Sequence, residues 1–186
     1  MSGVKKTLST PATLDLAPLI RNIPDFPKPG IQFKDITTLL LVPEAFRQII
    51  SGWKARYEPQ QLDAILGVDA RGFIFGATLA YEMGLPFVPV RKAGKLPGDT
   101  IQEECELEYG TATIEIHSDA LQKGQRVIVV DDLLATGGTM CAVHRLLQRL
   151  GIELVEAAFV VELPPLKGRE KLKGVPVHAL VEFMVE

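Results

Sequence analysis

The 186-residue chain is long enough for one domain that buries roughly two-thirds of the surface its unfolded form exposes. Its 47% hydrophobic and 23% charged residues are those of a soluble globular protein. A formal net charge of -3 argues against a nucleic-acid partner, since such binding is dominated by cation contacts to phosphates.

Residues 1–12 read as a poorly ordered tail. Thr13 to Arg21 predicts a short helix, with Thr13 as N-cap and Asp15 in the first turn. The stretch from Pro24 to Gly30 holds three prolines, which remove backbone donors and favour extended neighbours, so it predicts an ordered loop bearing Phe26. Pro43 to Tyr57 predicts a helix that starts on proline. Ala64 to Val68 is a short apolar strand, Arg71 to Met83 a helix ended by Gly84, and Phe87 to Val90 the next strand. Arg91 to Gly98 is basic, glycine-bearing and without apolar period, hence a loop. Cys105 to Tyr109 and Thr111 to His117 alternate apolar and polar residues and predict an antiparallel ribbon about Gly110.

Arg126 to Val130 is a strand apolar on both faces. Thr139 to Leu150 follows as a helix with Met140, Val143, Leu146, Leu147 and Leu150 on one stripe. Leu154 to Val161 and Val177 to Val185 are further strands, separated by a proline-led turn and short basic helix over Leu163 to Lys173. Strands apolar on both faces and alternating with helices imply an α/β fold: one domain over residues 1–186, a mainly parallel twisted sheet flanked by helices.

Cys105 and Cys141 stand in unlike contexts, and His117, His144 and His178 form no ligand spacing with them or one another, so neither a disulfide framework nor a metal site is expected. No stretch approaches the roughly 20 apolar residues of a membrane span, and the start lacks the apolar run of a signal peptide. The expectation is a soluble cytoplasmic protein with no membrane or nucleic-acid partner.

The chemistry concentrates in Val127 to Thr139, VIVVDDLLATGGT. In an open α/β sheet, ligands bind beyond the carboxyl ends of the strands. The strand delivers Asp131 and Asp132 to that edge, and Ala135, Thr136, Gly137, Gly138 and Thr139 then turn into a helix. Glycines let the backbone approach an anion, and amides at a helix start with threonine hydroxyls favour phosphate. Two carboxylates repel phosphate but suit sugar hydroxyls or a metal, so the pair beside the cradle fits a sugar phosphate. A Walker A loop is excluded, because its GxxxxGK[ST] spacing is missing.

That thirteen-residue segment resembles the phosphoribosyl pyrophosphate signature of the class I phosphoribosyltransferases, a Rossmann-like family. The resemblance implies that Asp131 and Asp132 bind the ribose 2- and 3-hydroxyls, while Ala135 to Thr139 bind the 5-phosphate. Four further segments are similar to the adenine phosphoribosyltransferases: PDFPKPGIQFKDIT (24–37), GVDARGFIFG (67–76), RKAGKLPG (91–98) with LEYG (107–110), and VELPPLKGREKL (161–172). Within them, Ala70 and Arg71 would bind pyrophosphate, on a turn expected to carry a cis peptide at Asp69–Ala70. Arg91, Lys92 and Lys95 would neutralise the leaving pyrophosphate from a flexible lid loop and ribbon over residues 91–112, with some lid cations supplied by a neighbouring subunit of a homodimer. Glu108 would act as the catalytic acid–base, exchanging a proton with the imidazole ring of the purine.

Residues 24–37 would form a hood over the base. Phe33 would stack on the ring, the backbone of Gln32 and Lys34 would read the adenine edge, and Leu163 would pack on the opposite face. The reaction implied is adenine plus phosphoribosyl pyrophosphate giving AMP and pyrophosphate. Mg²⁺ would arrive on the substrate, with no dedicated protein cage. Two alternatives stand beside it: a xanthine or hypoxanthine-guanine phosphoribosyltransferase, and a phosphoribosyl pyrophosphate-sensing regulator.

Overall fold

The computed structural model describes residues 13–107 and 110–184. The expected tail and the candidate Glu108, with Tyr109 beside it, lie outside them. In chain order the elements are β1 (Arg21–Pro24), β2 (Gln32–Asp35), α1 (Thr37–Leu40), α2 (Pro43–Tyr57), β3 (Ala64–Val68), α3 (Arg71–Met83), β4 (Phe87–Lys92), β5 (Thr100–Leu107), β6 (Gly110–His117), β7 (Arg126–Leu134), α4 (Gly138–Leu150), β8 (Glu153–Glu162), α5 (Gly168–Lys171) and β9 (Val177–Glu182).

A seven-stranded sheet has the order β5-β6-β4-β3-β7-β8-β9. The run from β4 to β9 is parallel, and β6 joins β4 antiparallel, as β5 does β6. Successive side chains of a strand point to opposite faces. On β7, Ile128 and Val130 pack with Trp53, Phe75 and Leu79 of α2 and α3, whereas Val127 and Val129 pack with Val143, Leu146 and Leu147 of α4. Burial on both faces is what made β7 read as a continuous apolar run. Of the stripe expected on α4, Leu150 is half-buried and the rest are buried.

The strand order reverses between β3 and β7, which pair with each other while β3 connects onward to β4 and β7 to β8. Such a switch point opens a crevice at the carboxyl ends of the two strands. The turns after β3 and β7 therefore face each other.

Three expectations need correction. Thr13 to Arg21 is not one helix: a three-residue 3-10 turn spans Ala17–Leu19, and Arg21 opens β1. Pro18 stands within the turn, and Asn22 and Ile23 pair with Lys34 and Phe33, so tertiary pairing overrides the local helical signal. The hood strand β2 consequently pairs with the segment that precedes the hood in a two-stranded antiparallel sheet. Arg91 and Lys92 belong to β4 rather than a loop, because they pair with Glu115 and Ile114 of β6. Finally, β7 does not stop at Val130. It runs through both acids to Leu134, because β8 continues alongside it to Glu162.

Candidate active site

The turn after β7 makes the first half of the crevice. Gly137 adopts φ +78° and precedes α4, whose first turn is Gly138, Thr139 and Met140. A cavity of about 290 Å³ is lined by Asp131, Ala135 to Thr139 and Phe159, among others. All five residues assigned to the phosphate therefore meet in one hollow at a helix start, where unpaired amides favour an anion.

A second cavity, of about 130 Å³, adjoins it. Its walls include Asp69, Ala70, Arg71, Arg91, Lys92, Asp131, Asp132 and Thr139. Asp131 and Thr139 border both cavities. What brings the β3 turn so close is Gly72: a Cβ there would lie 2.6 Å from the Val130 carbonyl oxygen and 3.1 Å from Asp131 Oδ1. No other residue leaves α3 room to start against the end of β7. The Asp69–Ala70 peptide is cis, at the bond expected.

Asp132 is 3% exposed. Arg71 Nε stands 2.6 Å from its Oδ2, although that oxygen lacks a well-directed hydrogen bond among the described residues. Asp131 Oδ1 accepts the Asp132 N–H at 2.8 Å. Burial, then the adjoining Asp132 carboxylate, push the Asp131 carboxyl well above the usual range. Burial raises Asp132 as well, against the pull of Arg71. Two carboxyls perturbed in this way at the mouth of a crevice make a candidate functional site.

Cations gather on the other wall. Arg91 donates to Asp69 Oδ2 and to the Lys95 carbonyl, each at 3.0 Å. Lys92 borders the second cavity, but Lys95 lines neither. The guanidinium of Arg71 also lies over the Phe33 ring, 5.2 Å from its centroid, which ties the hood to the crevice. Phe33 in turn meets Phe26 edge to face at 5.2 Å. Asn22 engages the side chains of Gln32 and Lys34, and Lys34 also stands 4.5 Å over Phe183. Leu163 is 6% exposed, and its N–H donates to the Leu134 carbonyl at 2.9 Å. Gln32, Phe33, Lys34 and Leu163 line neither cavity.

Comparison with known proteins matches residues 37–177 to the phosphoribosyl transferase domain family. A curated adenine phosphoribosyltransferase of Chloroflexus aurantiacus is 57% identical over 91% of this chain and 98% of its own. The chain belongs to the adenine phosphoribosyltransferase family. A crystal structure of the adenine phosphoribosyltransferase from Thermoanaerobacter pseudethanolicus superimposes with TM-score 0.86 at 50% identity, over 90% of this chain and 98% of that one. The adenine phosphoribosyltransferase from Trypanosoma brucei, solved with AMP, pyrophosphate and ribose-5-phosphate, gives 0.83 at 32% identity over 89% and 77% of the two chains.

Against this adenine phosphoribosyltransferase scaffold, one residue stands out that the sequence did not single out. Glu115 is 1% exposed. Its Oε1 accepts the N–H groups of Lys95 and Leu96, both at 2.9 Å. Its Oε2 accepts the Thr100 hydroxyl at 3.2 Å and the Gln102 amide at 3.1 Å. These bonds, led by that from Leu96, hold the Glu115 carboxyl below its ordinary value. The carboxylate thus folds the basic loop from beneath. A charged residue within the alternating run of a ribbon is the signal that was available, but alternation alone reads as a solvent-facing position. Nearby, Glu103 is paired with Arg145 and Arg149 of α4, which docks the ribbon on the body of the molecule.

Proposed function

We propose that the chain transfers the 5-phosphoribosyl group of phosphoribosyl pyrophosphate to adenine, giving AMP and pyrophosphate. The observation that carries this reading is the hollow at residues 135–139 joined, through half-buried Asp131 and buried Asp132, to the Arg71 turn. An anion cradle, acceptors for two hydroxyls and a cationic wall stand in the order 5-phosphate, ribose, pyrophosphate.

In this reading Asp131 and Asp132 accept the ribose hydroxyls, and charge-assisted bonds of this kind are the strong ones. Arg71 leaves Asp132 for the pyrophosphate oxygens, where Ala70, Arg91 and Lys92 join it and Lys95 follows from the loop. The bond from the anomeric carbon to pyrophosphate breaks, its electron pair leaving with pyrophosphate. A ring nitrogen of adenine supplies the pair for the new bond and gives up its proton. Glu108 takes that proton and returns it in the reverse direction.

Base choice rests on the hood. Among the described residues β2 is paired on one edge only, so main-chain groups at Gln32 and Lys34 can meet a planar edge bearing both donor and acceptor, while Phe33 and Leu163 cover its faces. The side chains of Gln32 and Lys34 are taken up by Asn22, which supports recognition by main chain. The phosphoribosyl pyrophosphate sensor loses ground to the identity with enzymes along nearly the whole chain.

Mg²⁺ belongs to the same proposal. No group of three His, Cys, Asp or Glu suited to a metal exists among the described residues, and the acids present suit an ion shared with substrate oxygens rather than a closed cage. When bound, it neutralises charge on the leaving group. We place the protein in the cytoplasm, in keeping with two unpaired cysteines, Cys105 and Cys141, and as a homodimer. Exposed Ile74 and Tyr81, one above the other on α3, support a surface for a second copy. No helix of the described residues is long and apolar enough to cross a membrane.

Steady-state turnover with adenine, guanine, hypoxanthine and xanthine, each with phosphoribosyl pyrophosphate and Mg²⁺, tests the reading. Adenine should be strongly preferred. Preferred use of guanine or xanthine would reassign the hood to an oxopurine.

A further inference from the structure

The segment between β8 and β9 meets the phosphate hollow from behind. A Cβ on Gly168 would lie 2.2 Å from the Ala135 carbonyl oxygen, 2.9 Å from Leu134 Cδ1 and 3.0 Å from the Gly137 nitrogen. From the opposite side, a Cβ on Gly137 would lie 2.7 Å from the Gly168 carbonyl oxygen and 3.1 Å from its Cα. The two backbones touch directly, and neither position has room for a methyl group. Leu134, Ala135 and Gly137, on one side of this contact, line the phosphate hollow, and Gly168 backs them from outside it.

The next residue anchors the contact. Arg169 Nε donates to Glu162 Oε1 at 3.0 Å, Nη2 donates to Glu162 Oε2, and Nη1 donates to the Val177 carbonyl at 2.8 Å. Glu162 is 3% exposed and sits beside Leu134 in the β7–β8 register, one position before Ala135. The planar fork of arginine is suited to this two-point grip, and a lysine cannot reproduce it. The anchor is therefore fixed to β8 and β9, which flank the Gly168 segment, and β8 runs beside β7 where the phosphate loop leaves it.

We propose that Gly168 is a positioning residue for the sugar-phosphate subsite, with the Arg169–Glu162 pair as its anchor. The proposal rests on the reading of residues 135–139 as a phosphate cradle. A glycine-bearing loop left to itself samples many orientations, and each binding event must then order it. Gly168 presses on the carbonyl of Ala135 and the amide of Gly137, so the amides that follow are aimed before the ligand arrives. The pyrophosphate wall, built from the β3 turn and β4, makes no part of this contact.

That separation gives the test. Affinity for ribose 5-phosphate and for pyrophosphate, and KM for adenine, are to be measured on the full chain with Gly168→Ala and with Arg169→Lys. Gly168→Ala should weaken ribose 5-phosphate by about tenfold to a hundredfold, the worth of one misaimed hydrogen bond to a charged group. KM for phosphoribosyl pyrophosphate should rise with it, while pyrophosphate affinity and KM for adenine stay at the wild-type level. Arg169→Lys should show the same selectivity at smaller size, and it carries the test if Gly168→Ala does not fold. Native ribose 5-phosphate affinity in both folded variants would overturn the proposal, and so would a parallel loss for all three ligands. Ribose 5-phosphate affinity unchanged by Thr136→Ala with Thr139→Ala would instead overturn the cradle reading itself, and this proposal with it.

Discussion

Replacing Asp131 by Asn should strengthen the free protein and weaken it as a ligand-binder. The amide is isosteric and still accepts the Asp132 N–H at Oδ1, so the fold has no reason to shift. What changes is the charge. Burial and the neighbouring Asp132 raise the Asp131 carboxyl well above its ordinary range in the folded chain. A carboxyl raised in this way holds its proton more tightly when folded. Stability is therefore fully present below about pH 4 and declines as pH rises toward the folded pKa. Relief of a destabilised functional position commonly returns about 0.5–2 kcal/mol. At this chain length each kcal/mol corresponds to about 2–4 °C, so Tm at pH 7 should rise by about 1–8 °C. The gain should close below about pH 4, where both side chains are neutral. Ribose 5-phosphate affinity should fall at the same time. A hydrogen bond to a charged acceptor contributes about 1.5–3 kcal/mol, or about 10- to 150-fold in Kd. Thermal melts from pH 3.5 to 8 read the first effect and titration calorimetry the second. A variant that melts lower than wild type at pH 7 and keeps native affinity would refute both the strain and the role.

Glu115→Ala should strand the Lys95 and Leu96 amides under a thin loop that water can partly reach, at about 1–3 kcal/mol. Melting should drop, and pyrophosphate affinity should fall with the ordering of the loop. Because the folded Glu115 carboxyl is depressed, its contribution is present above the unfolded pKa near 4.3 and lost as pH falls, so loop proteolysis should increase on acidification. Asp35 is lowered to about 2, chiefly by its bonds to Thr37 and then to Arg21. Hood contacts should accordingly survive to about pH 4 and loosen between about pH 4 and 2, readable as exchange of amides in β1 and β2. Glu108→Gln should lower kcat by about 10²–10⁴-fold with ligand binding retained; unchanged turnover would remove Glu108 from the chemistry.

Most of the sheet was legible because its strands carry their own signal. Ala64 to Val68 and Arg126 to Val130 are apolar on both faces, and the helices that follow open on Arg71 and Gly138 after recognisable turns. The crevice was legible for the same reason, since both turns leave parallel strands at one edge. Pro24 to Gly30 reads correctly as a loop because three prolines mark irregular backbone, but β1 just before it exists only by pairing Asn22 and Ile23 with Lys34 and Phe33. Such pairing is a long-range fact that local propensity does not encode. Glu115 and Gly168 were missed on related grounds. One looks like a solvent-facing acid in an alternating strand, the other like an ordinary turn glycine. Their meaning lies in what packs against them, the loop at Lys95 and Leu96 and the backbone at Ala135.

The central claim is that Val127 to Thr139 holds a phosphoribosyl group, and a crystal structure of the protein with AMP bound addresses it most directly. The account predicts the 5-phosphate against the amides and hydroxyls of Ala135 to Thr139, with the ribose hydroxyls in hydrogen-bonding reach of Asp131 and Asp132 and the base under Phe33. AMP bound with its phosphate against Arg71 and Arg91, or with its ribose away from the two acids, would contradict it.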